Sequence, residues 1–151
     1  MPSLGLRTRR QGRFLLPCWA ALLWAIGTPG TALAGSFTVL GPQNHIRVTG
    51  EPVTVITNFS VLDPATQFTV QIYNGGLLDG EFDRVSSTVI KINNADLFGP
   101  SEFNQNVAFL EKPIPLNSNN ALSVELHGEP GGGITILIVG VANVPPTITA
   151  D

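Results

Sequence analysis

The sequence predicts an all-β fold, an antiparallel β-sandwich of seven to eight strands preceded by a signal peptide. Three observations predict it. Apolar residues recur at a spacing of two, turn-forming residues interrupt them at short and regular intervals, and no stretch behind the leader holds a helical period for three turns. Twelve prolines in 151 residues also divide the chain too often for long helices.

The N-terminal segment has the layout of a secretory signal peptide. Four arginines precede an apolar run over residues 14–27, and small residues with an Ala32-Leu33-Ala34 cleavage pattern follow it. The run is shorter than the about 20 residues that span a bilayer. We therefore expect residues 1–34 to be removed on export, which leaves a processed protein without a membrane span that is secreted, periplasmic or on the cell surface.

Removal of this leader changes the charge and the cysteine content. It takes away four of the eight basic residues and none of the eleven acidic ones, which leaves a formal charge of −7. Such a chain lacks the basic surface that nucleic-acid binding needs, so no nucleic-acid partner is expected. The only cysteine, Cys18, also leaves, and no disulfide is expected. After removal of the 34-residue leader, 117 of the 151 residues remain. This length is typical of one compact domain, which we expect over residues 35–142.

Alternating apolar positions mark five of the strands. Such alternation places the apolar side chains on one face of an extended chain, toward the core. Turns are expected at Asp63-Pro64 and at Asn74-Gly75, whose residue types suit a reversal of the chain. In chain order, the predicted core positions are Val53, Val55, Phe59 and Val61; Phe68, Val70 and Ile72; Ile90 and Ile92; Val107 and Phe109; and Leu122, Val124 and Leu126.

A later run, ITILIVGV over residues 134–141, is apolar on both faces. That pattern favours a strand covered on both sides. An uncharged β-rich run can also start pairing between chains. Because breakers flank this run on both sides, we expect a central core strand rather than an assembly interface.

The second half of the chain resembles a known class of module. A strand ends in Asn93-Asn94, a hydrophobic return follows at Leu97-Phe98, and residues 116–126 have the pattern L-x-x-x-N-x-L-x-V-x-L. These features resemble galactose-binding-like jelly-roll modules and immunoglobulin-like β-sandwich modules of large secreted bacterial surface proteins. The two asparagines stand where the usual hairpin has Asn-Gly, and asparagine also tolerates the left-handed conformation. The resemblance implies a noncatalytic extracellular module and leaves the two strand orders open.

The chain closes on NVPPTITAD, residues 143–151. Paired prolines favour an extended, stiff segment, which predicts a linker or the truncated start of a further module. A self-contained small module is the second interpretation. A third is that the TITAD segment pairs with a free strand edge of another copy. The expected partners are neighbouring domains or surface proteins.

The processed sequence carries no pattern of catalytic residues, and we do not expect an enzyme. Its histidines are His45 and His127, which show no metal-ligand spacing and are predicted to lie at the surface or at strand ends. No serine lies in a G-x-S-x-G motif. Nucleophilic hydrolysis therefore has no support from the residues.

One acidic cluster suits a metal. Asp79, Glu81 and Asp83 alternate, so their carboxylates can converge on one face, and calcium prefers such hard oxygen ligands. The leading interpretation is a solvated acidic loop, and a calcium site formed by these three carboxylates is the alternative. No other cofactor is expected.

Amide-rich loops raise the question of glycan binding. Amides can bind sugar hydroxyls, but no tryptophan survives export, and turn formation explains the same residues. The leading prediction is an exported structural spacer or interaction unit. The alternatives are a carbohydrate-binding accessory module and a calcium-stabilised accessory domain of an extracellular enzyme. The amides are Asn93, Asn94, Asn104, Gln105, Asn106 and Asn117 to Asn120.

Overall fold

The computed structural model describes residues 34–78 and 80–143, and within them nine strands form two sheets. All of the predicted leader (1–34) except Ala34, and all of the proline-containing connector (143–151) except Asn143, lie outside the described residues; Ala34 begins β1 and Asn143 ends β9. No helix within the described ranges has the length and apolarity to cross a membrane. The strands are β1 (Ala34–Ile46), β2 (Thr54–Ser60), β3 (Gln67–Asn74), β4 (Asp83–Arg84), β5 (Ser87–Ile92), β6 (Ala95–Phe98), β7 (Phe109–Ile114), β8 (Asn119–His127) and β9 (Gly132–Asn143), with a 3₁₀ turn at Pro100–Glu102.

The two sheets pack face to face as a sandwich, which confirms the predicted fold class. The first sheet has the order β1-β9-β3-β7, and the second has the order β2-β8-β5-β6. These strand pairs are all antiparallel. The remaining strand, β4, has two residues and lies outside these two strand orders. It pairs in parallel with the start of β9.

The strand pairs are nested along the chain. β5 pairs with β6, β3 with β7, β2 with β8 and β1 with β9. The first strand in the sequence therefore pairs with the last, and the second pairs with the next-to-last. As a result β1 and β2 each lie at the edge of a sheet.

The core lies between the inner faces of the sheets. The alternation predicted for β3, β5 and β8 is confirmed, because all of their predicted core positions are buried. β9 lies between β1 and β3, as expected of a central strand. Its alternate isoleucines contribute to the core. The buried set in these four strands is Phe68, Val70, Ile72, Ile90, Ile92, Leu122, Val124, Leu126, Ile134, Ile136 and Ile138.

The turns predicted at Asn93-Asn94, at Asp63-Pro64 and at Asn74-Gly75 are confirmed, the last where β3 ends and Gly75 has a φ of 100°. Asn93 and Asn94 have φ angles of 51° and 67° and form the two-residue loop between β5 and β6. At the second turn, the Thr66 N–H donates to the Asp63 carbonyl at 3.2 Å, and the Ala65 N–H donates to Asp63 Oδ1 at 2.9 Å. This turn carries the chain from the second sheet to the first.

The prediction that Val107 and Phe109 face the core is wrong. β7 begins at Phe109, and its register places Ile114 opposite the buried Phe68. Because alternate residues of a strand face the same side, the core positions of β7 include Leu110 and Ile114, and Phe109 faces outward.

Asn74 ends β3 and holds the loops beyond it. Its amide nitrogen donates to the carbonyl oxygens of Val85 at 3.0 Å and Val107 at 2.9 Å. Its Oδ1 accepts the Val85 backbone N–H at 2.8 Å. Because Asn74 is buried, these bonds fix the segments that lead into β5 and β7 against the core.

Candidate binding groove

A groove of about 580 Å³ opens between the edge strands β1 and β2. β1 forms one wall with polar side chains. β2 and β8 form the other wall, which is mainly aliphatic. The groove lies on the side of the sandwich where each sheet ends, so its two walls belong to different sheets.

The polar wall consists of Gln43, His45 and Arg47, which alternate along β1 and beyond it. Gln43 pairs with Ile136 and His45 pairs with Ile134, and both isoleucines belong to the core. The polar side chains therefore point into the sandwich. At about 3.3 Å per residue, the row from position 43 to position 47 is about 13 Å long.

Each residue of this row has a buried polar atom that no other described residue satisfies. The atoms are Gln43 Oε1, His45 Nε2 and Arg47 Nε. An unsatisfied buried polar atom costs about 1–3 kcal/mol. A ligand that supplies the missing hydrogen bonds therefore gains affinity from this row.

His45 is the most buried member, with only 8% of its surface exposed. Desolvation by this burial lowers the pKa of His45, so the imidazole is neutral at pH 7. A neutral imidazole donates at one nitrogen and accepts at the other. Nε2 can therefore serve either role toward a ligand, according to the tautomer.

Arg47 places a cation at the end of the row. Its terminal nitrogens donate to the backbone carbonyls of Val48 and Gly50, the second at 2.5 Å, which orients the guanidinium. No carboxylate of the described residues forms an ion pair with it. The groove therefore suits a ligand that carries an acceptor or a negative charge at this end.

The aliphatic wall shows why one burial prediction fails. Val55 pairs with the buried Val124, so Val53 and Val55 lie on the inner face, as their spacing predicts. They are nevertheless 65% and 46% exposed. The polar wall lies across an open groove and does not cover them. Val124 and Leu126 of β8 complete the wall.

The two histidines do not form a pair. His45 is the next-to-last residue of β1, at a strand end as predicted, but it is buried and does not lie at the surface. His127 ends β8 and faces the outer side of the second sheet, with Nε2 at 3.1 Å from Glu125 Oε1. The second sheet separates the two imidazoles.

The predicted calcium ligands do not form a described cluster. Asp79 falls outside the described residues. Glu81 Oε1 accepts a hydrogen bond from Asn44 at 3.3 Å, whereas Asp83 lies beside the glycine turn that precedes β9. Among the described residues, no three His, Cys, Asp or Glu side chains could together hold a metal ion. Calcium binding by Asp79, Glu81 and Asp83 stays a prediction, which a melting curve with and without chelator would test.

The amides of one loop cluster bind each other. The Asn93 amide nitrogen donates to Asn120 Oδ1 at 2.9 Å, and the Asn117 N–H donates to the same oxygen at 2.8 Å. Asn120 returns a bond to the Asn117 carbonyl at 2.6 Å. This network favours the turn-forming role of these asparagines.

An aromatic pair lies on the outer face of the first sheet. The ring centroids of Tyr73 and Phe109 are 5.0 Å apart, and Phe109 is 43% exposed. Asn106 lies three residues before Phe109 in the sequence. The sequence missed this surface because its alternation assigned Phe109 to the core.

Neither a protein-family model nor a curated protein matches this sequence. The geometry of the groove and of the aromatic pair is therefore the basis for assigning a function.

Proposed function

We propose that this chain is a noncatalytic interaction module of an exported protein, acting in a secreted or cell-surface assembly and holding its ligand in the groove between β1 and β2. The observation that supports this proposal most directly is the row Gln43, His45 and Arg47. The buried polar atoms of this row lack partners among the described residues. A pure spacer has no use for such a row. Its energetic cost is offset when a ligand, or water held in the groove, completes the hydrogen bonds.

The module is a jelly roll rather than an immunoglobulin-like sandwich. The nested pairing supports this strand order. With β4 set aside, eight strands remain, and the first pairs with the last, the second with the seventh, the third with the sixth and the fourth with the fifth. One long hairpin that wraps into two sheets gives this order.

The chemistry of the two walls narrows the ligand. The aliphatic wall favours an apolar body, and the row on β1 requires groups that both donate and accept. Gln43 Oε1 needs a donor, whereas Arg47 Nε needs an acceptor. An elongated ligand with mixed polar groups along one edge and an acceptor or carboxylate at the Arg47 end satisfies all three positions.

The two histidines provide an internal test. NMR signals of both imidazoles are followed while peptides, oligosaccharides and small carboxylates are added. We expect a ligand to shift His45, which lines the groove, and to leave His127 unchanged because it faces the opposite side of the second sheet. Arg47→Met should abolish the response. If no compound class moves His45, the chain is a spacer and the proposed binding role is wrong.

A second candidate is glycan binding on the outer face of the first sheet, favoured by the pair Tyr73 and Phe109. An exposed ring can stack on the apolar face of a sugar, and the Asn104 to Asn106 loop supplies polar groups nearby in the sequence. We expect retardation of the protein in native gels that contain a soluble polysaccharide. Phe109→Ala should remove it.

Phe37 is the matched control, because it is 44% exposed and lies on β1. Phe37→Ala should keep the retardation. Equal mobility with and without every polysaccharide, or equal loss in both variants, would eliminate this candidate.

A further inference from the structure

Sheet edges are usually protected against pairing with another chain, and three of the four edge strands here are protected. β7 contains Glu111, Lys112 and Pro113. β6 has four residues and includes Asp96. β1 changes register on either side of Leu40.

β2 has none of these protections. It is seven residues long, TVITNFS, with no charge, no proline and no glycine. Among the described residues, no strand pairs with its outer edge. Val55 and Ile56 are 46% and 63% exposed on its two faces. β2 is thus a long, uncharged edge with free backbone donors and acceptors and two exposed aliphatic side chains, which is the kind of edge that accepts another strand.

Read in the opposite direction, the sequence of β2 is complementary to itself at every position except Ile56 and Asn58, which fall opposite each other. If two copies pair antiparallel about Thr57, that residue lies opposite the partner's Thr57. Val55 then lies opposite the partner's Phe59, and Thr54 lies opposite the partner's Ser60. Pairs of Thr with Thr or Ser and pairs of an aromatic with a β-branched residue are among the favourable cross-strand combinations.

Charge within β2 does not oppose a second copy at this edge. The chain is acidic, with a formal net charge of −3 that the predicted loss of the leader makes more negative. Two acidic molecules repel one another, and like charges placed opposite in a sheet destabilise it. β2 brings no charge to the contact, so strand pairing there places no like charges opposite one another.

We propose that two copies of this protein associate by antiparallel pairing of β2 with the partner's β2, about a two-fold axis at Thr57, to form one continuous eight-stranded sheet. The pairing covers Val55 and Ile56 and uses the same surface on both copies, as a closed dimer requires. It goes beyond the proposed function, because it needs no ligand in the groove.

A single cysteine at the axis tests the register. In the protein purified from an exporting host, with Cys18→Ser as background, Thr57→Cys should form a disulfide-linked dimer under mild oxidation. Directly opposite Cα atoms lie about 4.5–5.5 Å apart, within the range that a disulfide spans. The control Asn58→Cys should not form a disulfide, because position 58 lies diagonally across from the partner's position 58. The Cα atoms of such diagonal neighbours are about 8 Å apart. Equal cross-linking of both variants, or of neither, would overturn the proposed register.

Sedimentation velocity tests the dimer itself. We expect a dimer for the unmodified protein and a monomer for Ile56→Lys, since a lysine at this exposed position opposes edge pairing. Phe109→Lys, on the opposite edge of the other sheet, should remain dimeric. A monomer at all concentrations for the unmodified protein would refute the proposal. Arg47→Met separates the two ideas, because it should lose the ligand response of His45 and keep the dimer.

Discussion

The two sides of the sandwich at which the sheets end are built differently. On one side, β6 and β7 are joined by Lys112, whose Nζ lies 2.6 Å from Glu102 Oε1 and donates to the Leu97 carbonyl at 2.8 Å. The same ammonium group lies 4.4 Å from the centre of the Phe98 ring. We call this the closed side. The side of β1 and β2, the open side, has a groove and unsatisfied polar atoms instead.

Asn74 and His45, two of the buried polar side chains, show the same contrast. The side-chain amide of Asn74 forms hydrogen bonds with the loops that lead into β5 and β7. His45 has an Nε2 with no partner among the described residues. Buried polar groups of stable folds are normally satisfied, and each exception requires an explanation such as a functional role or a bound water. We propose that the closed side serves stability and that the open side serves binding.

The largest expected effect comes from breaking the satisfied network. Asn74→Ala removes four hydrogen bonds and leaves buried backbone groups of Val85 without partners. We expect the free energy of unfolding to fall by about 3 kcal/mol or more. Urea denaturation measures it, with the exposed Asn106→Ala as control, which should change stability by less than about 0.5 kcal/mol. Equal losses in both variants would contradict the role given to Asn74.

A smaller effect is expected from opening the closed side. Lys112→Met removes an ion pair, a hydrogen bond and a cation–π contact, all partly exposed to solvent. After allowance for screening by solvent, we expect a loss of about 1–2 kcal/mol. Lys91→Met is the control, because its ion pair with Asp96 is largely exposed and should contribute less than about 0.5 kcal/mol. If Lys112→Met proves as mild as the control, Lys112 does not close the sandwich.

The smallest effect is the response of the open side to pH. Burial lowers the pKa of His45 below 6.5, so the unfolded chain binds a proton more readily than the folded one. His45 should therefore reduce stability as the pH falls below about 6.5. Thermal unfolding at pH 8 and pH 5.5 measures this. The pH dependence should shrink in His45→Leu and persist in His127→Leu. No difference between the variants would exclude His45 as the source.

The sequence predicted the strands that have an apolar inner face. β3, β5 and β8 alternate apolar residues with polar ones, because their inner faces meet the core along their whole length. β9 was predicted as a covered strand because it is apolar on both faces. The Asn93-Asn94 turn was also predictable, since few other residues accept positive φ angles twice in succession.

The open side was not predictable from the same signal. Near the end of β1 and just beyond it, the inner positions are Gln43, His45 and Arg47, so the usual alternation is reversed and the stretch resembles a polar loop. On β2 the alternation correctly indicated the side of Val53 and Val55 but not their exposure, because exposure depends on the distance between the two sheets. Polar residues at inner positions break the alternation that reveals a strand.

The most direct measurement is the free energy of unfolding of the double variant Gln43→Leu and His45→Leu. If the polar row is retained for binding, apolar replacement removes unsatisfied atoms, and stability should stay equal to or rise above that of the unmodified protein, by about 1 kcal/mol. A loss of about 3 kcal/mol, like that expected for Asn74→Ala, would mean that the row stabilises the fold and would contradict the account of an open, binding side.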